Sequence, residues 1–333
     1  MHAPLQFGLD TFGDVTVDLD GALLPQHQVI RNIVEQAVLA DQLGIDAFGV
    51  GEHHRDDFAV TSPDVVLAAA ASRTSRILLG TAVTVLSSDD PIRVYERFAT
   101  LDAVSAGRAE VTLGRGSFTE SFPLFGLDLG DYERLFEEKL DLFAKLRSEG
   151  EISWQGTVRA PLQPTHVYPK TERGSLPTWI GVGGSPESVV RAARHGLPMM
   201  LAIIGGDPAR FTPYVELYRR ALSELDRPDL PVGVHSPGSS LPPTMPPVNC
   251  STRTSWPTAI ASGPSEAGPP PRAHSTTRRS TTARSMSGPL RPWPRRSPAR
   301  CAPSGCSAST SSTATDRCLT SSSWRASGST APR

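Results

Sequence analysis

At 333 residues with 38% apolar side chains, the chain is long enough for one large domain or two ordinary ones and can bury a core. No apolar run reaches the roughly 18 residues of a membrane span, and the N-terminus lacks the basic-then-apolar start of a signal peptide, so a cytoplasmic location without membrane or nucleic-acid partners is expected. The net charge of −1 hides a split: residues 1–236 carry 32 acidic and 21 basic side chains, whereas residues 237–333 carry 2 and 12.

Leu5–Asp10 reads as a first strand. From Gln28 to Leu43, apolar residues recur at helical spacing until Gly44 stops the run. A second strand, Ala47–Val50, follows. Ser62-Pro63 opens the next helix as N-cap and first residue. Ile77–Leu86 is a third strand, Asp90-Pro91 opens a helix ending near Gly107, and Glu110–Leu113 is a fourth strand. Asp131–Arg147 is amphipathic, with Leu135, Phe136, Leu140, Phe143 and Leu146 on one side. Residues 150–176, broken by Pro161, Pro164 and Pro169, read as an insertion. Pro177–Gly181 is a fifth strand, Ser185-Pro186 opens a helix closed by Gly196, and Pro198–Ile204 is a sixth strand. A helix from Asp207-Pro208 to Leu225 and a seventh strand, Leu230–His235, complete the pattern. Strands alternating with helices argue for a parallel sheet with helices outside. Seven of them in about 235 residues suit a (β/α)8 barrel one strand short. A doubly wound sheet would want a glycine-rich turn after the first strand, and only Thr11-Phe12-Gly13 stands there.

After Gly238, just past the end of the 1–236 unit, the periodicity vanishes into Ser, Thr, Pro, Arg and Ala. All four cysteines (Cys250, Cys301, Cys306, Cys318) lie in this part, so the first part needs neither disulfides nor thiolate metal sites. One reading is a disordered basic tail. The other is a slipped reading frame. With suitable wobble bases, residues 291–311 read from the third codon base give an amphipathic helix and the start of a strand, and residues 317–333 give another helix. The frameshift is the favoured reading, and it removes the barrel's last strand and C-terminal helices.

In such a barrel, chemistry sits at the C-terminal ends of the strands. Those ends carry Glu52-His53-His54, Thr81-Ala82-Val83, Arg115, Gly183-Gly184-Ser185 and His235. An isolated Glu-His-His tip can simply solvate a loop. A metal site there is disfavoured, because adjacent histidines at a strand end diverge and no third ligand is evident. The turn Gly183–Ser188 runs from a strand into a helix, where backbone N–H groups and hydroxyls suit a phosphate, though an ordinary capped helix has the same form. Arg115, between Gly114 and Gly116, can approach a phosphorylated ligand closely.

In order, Gly51-Glu-His-His54, Gly80-Thr-Ala-Val83, Leu101-Asp-Ala-Val-Ser-Ala-Gly-Arg108, Gly114-Arg-Gly116 and Gly183-Gly-Ser185 resemble the luciferase-like flavin-dependent monooxygenases over residues 5–236. The resemblance implies a barrel that uses reduced FMN and O2 on a small organic substrate, with a flavin reductase or NAD(P)H as electron source. A homodimer is common in that family. It also implies that His53 is catalytic; Glu52 is expected among the flavin-binding residues, and Glu52 and His54 are expected to position His53. Ala82 and Val83 would support the flavin ring, often through a non-proline cis peptide. Arg115, Gly183, Gly184, Ser185 and Ser188 would hold the phosphate. With an ordinary pKa near about 6.5, His53 is expected to move a proton at neutral pH. Glycine at 184, where bacterial luciferase has an acid, is a departure. A deazaflavin oxidoreductase on the same fold, or a flavin binder that has lost catalysis with its closing strand, are the alternatives.

Overall fold

A computed structural model describes residues 5–18, 20–204 and 207–237. Strands β1 (Gly8–Thr11), β2 (Ala47–Val50) and β3 (Leu78–Thr81) pair in parallel, with Gly8 opposite Ala47 and Ala47 opposite Leu78. A two-residue strand, β4 (Thr84–Val85), continues the third strand beyond a break at Ala82-Val83. It begins a second parallel series with β5 (Val111–Gly114). Backbone bonds from Leu79 N–H to Arg108 O (2.9 Å) and from Glu110 N–H to Leu79 O (3.0 Å) link β3 to the start of β5. The helices between these strands are α1 (Gln26–Leu43), α2 (Pro63–Ala71) and α3 (Pro91–Ser105).

After β5 come a single turn, α4 (Ser121–Leu124), and the amphipathic α5 (Tyr132–Leu146). The predicted insertion holds an antiparallel hairpin of β6 (Ile152–Trp154) and β7 (Leu162–Thr165). The parallel series then resumes with β8 (Thr178–Val182), α6 (Pro186–His195), β9 (Met199–Ala202), α7 (Thr212–Glu224) and β10 (Val232–His235). Seven strand positions therefore lie side by side in chain order, all parallel. Among the described residues no ladder joins β1 to β10. Side chains reach between them instead, with His235 Nε2 3.2 Å from Asp10 Oδ2. The segment predicted to be frameshifted lies, from 238 onward, outside the described residues.

The core sits between strands and helices. Phe48, Val50, Leu79, Val111, Leu113, Ile180, Val182 and Leu201 are buried against Ile33, Ala37, Leu67, Phe98, Leu140 and Phe143, each large one contributing about 1.5–3 kcal/mol. The alternate residues of the strands form the inner face, and there the sequence is small or polar: Asp10, Gly49, Gly80, Glu110, Thr112 and Trp179 line a cavity of about 400 Å³. A Cβ at Gly49 would collide with Asp10 Oδ1, and one at Gly80 would come within 2.9 Å of Glu110 Cγ. Glycine at these two positions makes room for two inward carboxyls.

Side-chain caps start α3 and α6. Asp90 accepts the Ile92 and Arg93 N–H groups, and Ser185 accepts that of Ser188. Ser62 stands at the predicted N-cap of α2, but its hydroxyl makes no capping bond; Pro63 supplies the fixed φ that starts this helix. The predicted helix from Pro208 begins as a single 3-10 turn, Pro208–Phe211, before α7. Arg108 shows what the Leu101–Arg108 motif does structurally. Its buried guanidinium donates to the carbonyls of Ser105 (2.7 Å), Ile77 (2.8 Å), Ala71 (3.1 Å) and Thr74 (3.1 Å), closing the carbonyl ends of α2 and α3.

Candidate active site

The tip of β2 turns its acid sideways. Glu52 Oε2 accepts the Val85 backbone N–H at 2.9 Å, and Oε1 lies 3.0 Å from His54 Nε2. Between β3 and β4 the Ala82-Val83 peptide is cis, as the resemblance implied. Surrounding glycines leave it space: a Cβ on Gly114 would collide with Val83 Cγ2, and one on Gly51 would lie 3.2 Å from the Ala82 carbonyl oxygen. Glu52 is thus a backbone clamp that ties the second strand tip to the far side of the break.

His53 occupies an aromatic box. Its backbone N–H donates to the Val60 carbonyl oxygen at 2.9 Å. Its ring stacks on Phe58 at 4.1 Å and meets the edges of Phe118 at 5.3 Å and Phe12 at 5.6 Å. Nε2 is sealed from solvent and has no hydrogen-bond partner among the described residues. Burial, reinforced by the neighbouring His54 and Arg55 and opposed by Asp57 and Glu120, pushes the His53 pKa down to about 4. The expectation of an imidazole titrating near neutrality is therefore corrected: Phe58 from its own loop, with Phe12 and Phe118 from two others, buries His53 and holds it neutral at pH 7. Arg55 fastens this box from above, stacking over Phe118 at 4.6 Å and bonding to Asp57 (2.8 Å) and Glu120 (2.7 Å).

At the tip of β8, Gly184 takes a positive φ of 105°, and its carbonyl accepts the Tyr214 hydroxyl at 2.6 Å. Gly183 is exposed beside it. Ser185 Oγ lies 2.9 Å from Ser188 Oγ and accepts the Ser188 N–H at 3.2 Å. Arg115, at the tip of β5, donates through Nη2 to Ser188 Oγ at 3.3 Å. The predicted Arg115, Ser185 and Ser188 are therefore brought together by two neighbouring strands.

Sequence reasoning missed a second guanidinium there. Arg191, buried, donates through Nη1 to Ser188 Oγ at 3.2 Å, through Nη2 to Glu133 Oε2 at 3.2 Å, and through Nε to Glu137 Oε1 at 2.5 Å. Arg115 Nη1 pairs with the other oxygen of Glu133. The spacing Ser188-x-x-Arg191 places both on one face of α6, a signal that was available.

Among the described residues no group of three or more His, Cys, Asp or Glu side chains could hold a metal. Within the inner cavity, burial pushes Asp10 up against the opposing pull of His235, and pushes Glu110 up despite the Trp179 Nε1–H bond at 3.3 Å.

Parallel βα units with polar groups gathered at the strand tips define an α/β protein of the enzyme type. The profile described as luciferase-like monooxygenase matches residues 7–239, and the chain belongs to that family. It is 29% identical over 195 residues to an alkanal monooxygenase alpha chain from a Kryptophanaron alfredi symbiont, covering 58% of this chain and 54% of that one. It is 35% identical over 167 residues to limonene 1,2-monooxygenase of Rhodococcus erythropolis, covering 48% and 42%. The chain spans about half the length of the curated relatives it matches. Among solved structures, monooxygenase RslO1 from Streptomyces bottropensis superposes with a TM-score of 0.62 at 26% identity, covering 70% of each chain. An F420-dependent secondary alcohol dehydrogenase superposes at 0.57 with 18% identity over 69% of this chain and 68% of that one, a likeness of fold. Among the described residues no helix is long and apolar enough to cross a membrane.

Proposed function

We propose that this chain is an FMN-dependent monooxygenase of a small organic substrate, its flavin reduced by a separate reductase or by NAD(P)H. The observation that carries the reading is the sealed, partnerless Nε2 of His53, at the same strand-tip end as the Arg115–Ser188 pair. A buried polar atom without a partner is costly, and a ligand that bonds it removes the cost.

The residues present fit a flavin mononucleotide. Arg115, Ser185, Ser188 and the turn at Gly183 and Gly184 would hold its phosphate, with the helix dipole of α6 adding to their field. Ala82 and Val83 would lie under the ring. Bound reduced flavin supplies the oxidative chemistry with O2. The chain's own residues do the rest. Glu52 fixes the β2 tip, the aromatic box excludes water, and neutral His53 presents Nε2 to accept or donate one hydrogen bond according to its tautomer.

The seven parallel strands fit the arc of a (β/α)8 barrel whose closing strand belongs to the frame lost after residue 236; stop codons in that frame around codons 236–245 would rule this out. The family's dimeric habit is carried over on the same footing. A deazaflavin hydride carrier is the second reading, prompted by the F420-dependent fold neighbour. Titrating the full chain with FMN, riboflavin and a deazaflavin, then following O2 uptake by the reduced complex, tests the choice. Preferential deazaflavin binding selects the second reading. FMN bound without O2 uptake leaves a binder without catalysis, and a folded chain that binds no flavin sinks the reading altogether.

A further inference from the structure

Arg115 and Arg191 come from different elements, the tip of β5 and the second turn of α6, yet they share two anchors. On the inner side both guanidiniums donate to one oxygen, Ser188 Oγ, at 3.3 and 3.2 Å. On the outer side both pair with one carboxylate, Glu133, through separate oxygens. Glu133 stands in the first turn of α5 with its side chain 60% exposed, whereas the Arg191 side chain is 5% exposed. The arrangement is a fork-shaped cationic slot with an exposed carboxylate reaching in from outside.

We propose that Arg191 is a second phosphate-binding guanidinium beside Arg115, and that Glu133 is a resident counter-anion which fills the slot until a phosphomonoester dianion displaces it. The inference rests on the phosphate-site reading of Arg115, Ser185 and Ser188. Its physical basis is an exchange of anions. An exposed carboxylate gains little from its ion pairs because water screens them and the side chain must be ordered. A dianion offering three acceptor oxygens can take charge-assisted bonds from both planar forks at once. Arg191 keeps its orientation through the exchange, since its Nε stays on Glu137 and its Cζ lies 5.3 Å from the centroid of the Phe136 ring. Arg115 is likewise held over Tyr132 at 5.4 Å. Once Glu133 swings into solvent the slot is left short of negative charge, which a dianion restores and an uncharged ligand does not.

The test separates phosphate from ring. FMN and riboflavin, which differ only in the phosphate, are titrated into the full-length wild type, Glu133→Gln and Arg191→Lys by flavin fluorescence, and inorganic phosphate is titrated by calorimetry. Glu133→Gln is expected to tighten FMN about fivefold and to leave riboflavin unchanged. Arg191→Lys, which keeps charge but loses the fork, is expected to weaken FMN about tenfold with riboflavin again unchanged. Inorganic phosphate should follow the same order across the three proteins. An FMN-to-riboflavin affinity ratio in Glu133→Gln equal to or below that of wild type overturns the displaced counter-anion, and this variant decides alone if Arg191→Lys fails to fold. A ratio unmoved by Arg191→Lys removes Arg191 from the site. If neither flavin binds wild type but inorganic phosphate obeys the predicted order, the inference stands and the flavin reading falls. If phosphate binds none of the three, the inference falls.

Discussion

The Val85 backbone N–H donates to Glu52 Oε2 at 2.9 Å, so a side chain from the second strand tip satisfies the backbone of the segment beyond the Ala82-Val83 break. The other oxygen holds His54 at 3.0 Å. Glu52→Ala leaves a buried N–H and a partly buried imidazole without their acceptor. We expect a loss of about 1–3 kcal/mol in urea unfolding, whereas Glu52→Gln, which still offers an amide oxygen, should retain most of the stability. Equal losses for the two would show that the carboxyl oxygen does not carry this link.

His53 gives a pH signature. Its folded pKa of about 4 lies below the ordinary 6.5, so the folded chain favours neutral imidazole. The resulting stability is complete above pH 6.5 and is lost as pH falls through 4, because the unfolded chain takes up the proton first. The displacement corresponds to about 3 kcal/mol. Unfolding free energies between pH 7 and pH 4 should therefore fall less steeply in His53→Gln than in wild type by roughly that amount. Parallel pH profiles for the two proteins would place the imidazole in water rather than in the phenylalanine box.

If His53 serves the chemistry while Arg115 and the serines hold the phosphate, the two tasks separate on mutation. His53→Ala is expected to bind FMN within about threefold of wild type and to lose at least about 100-fold in turnover. Turnover at the wild-type level would remove His53 from the mechanism.

Arg108 donates to four backbone carbonyls from within the core. Arg108→Met strands all four and is expected to cost at least about 3 kcal/mol, read as a lowered denaturation midpoint with an unchanged slope. A shift within error would mean that water reaches those carbonyls.

Gly114 faces Val83 so closely that any Cβ collides with it. Gly114→Ala should therefore cost about 1–3 kcal/mol, whereas Gly183→Ala, with open space around the added carbon, should be nearly neutral. The pair is compared by thermal unfolding.

Strand order and the gathering of Arg115 with Ser185 and Ser188 were legible because both follow from alternation: a strand, its tip and the next helix sit close in sequence. The helix from Asp131 was legible from its apolar stripe, and Leu135, Phe136, Leu140, Phe143 and Leu146 are all buried. What escaped depends largely on distant partners. Phe58 follows His53 by five residues, but Phe12 and Phe118 come from two other loops, so the local sequence shows only one wall of the box that depresses its pKa. The hollow inner face escaped for a related reason. Gly49 and Gly80 look like flexible strand residues until Asp10 and Glu110 are seen to use the space. Arg191 could have been found from its spacing to Ser188, but Glu133 approaches from another helix.

The inner face also gives the protein an optical gauge. Trp179 is half-buried in the wall of the cavity and bonded to Glu110, while Trp154, the other tryptophan among the described residues, is a buried residue of the hairpin strand β6 and bonds Asp141. Whatever fills the hollow alters the polarity around one indole and leaves the other in place. A difference emission spectrum between the wild type and Trp179→Phe therefore reads occupancy of the interior from the tryptophan on its wall, without label or turnover.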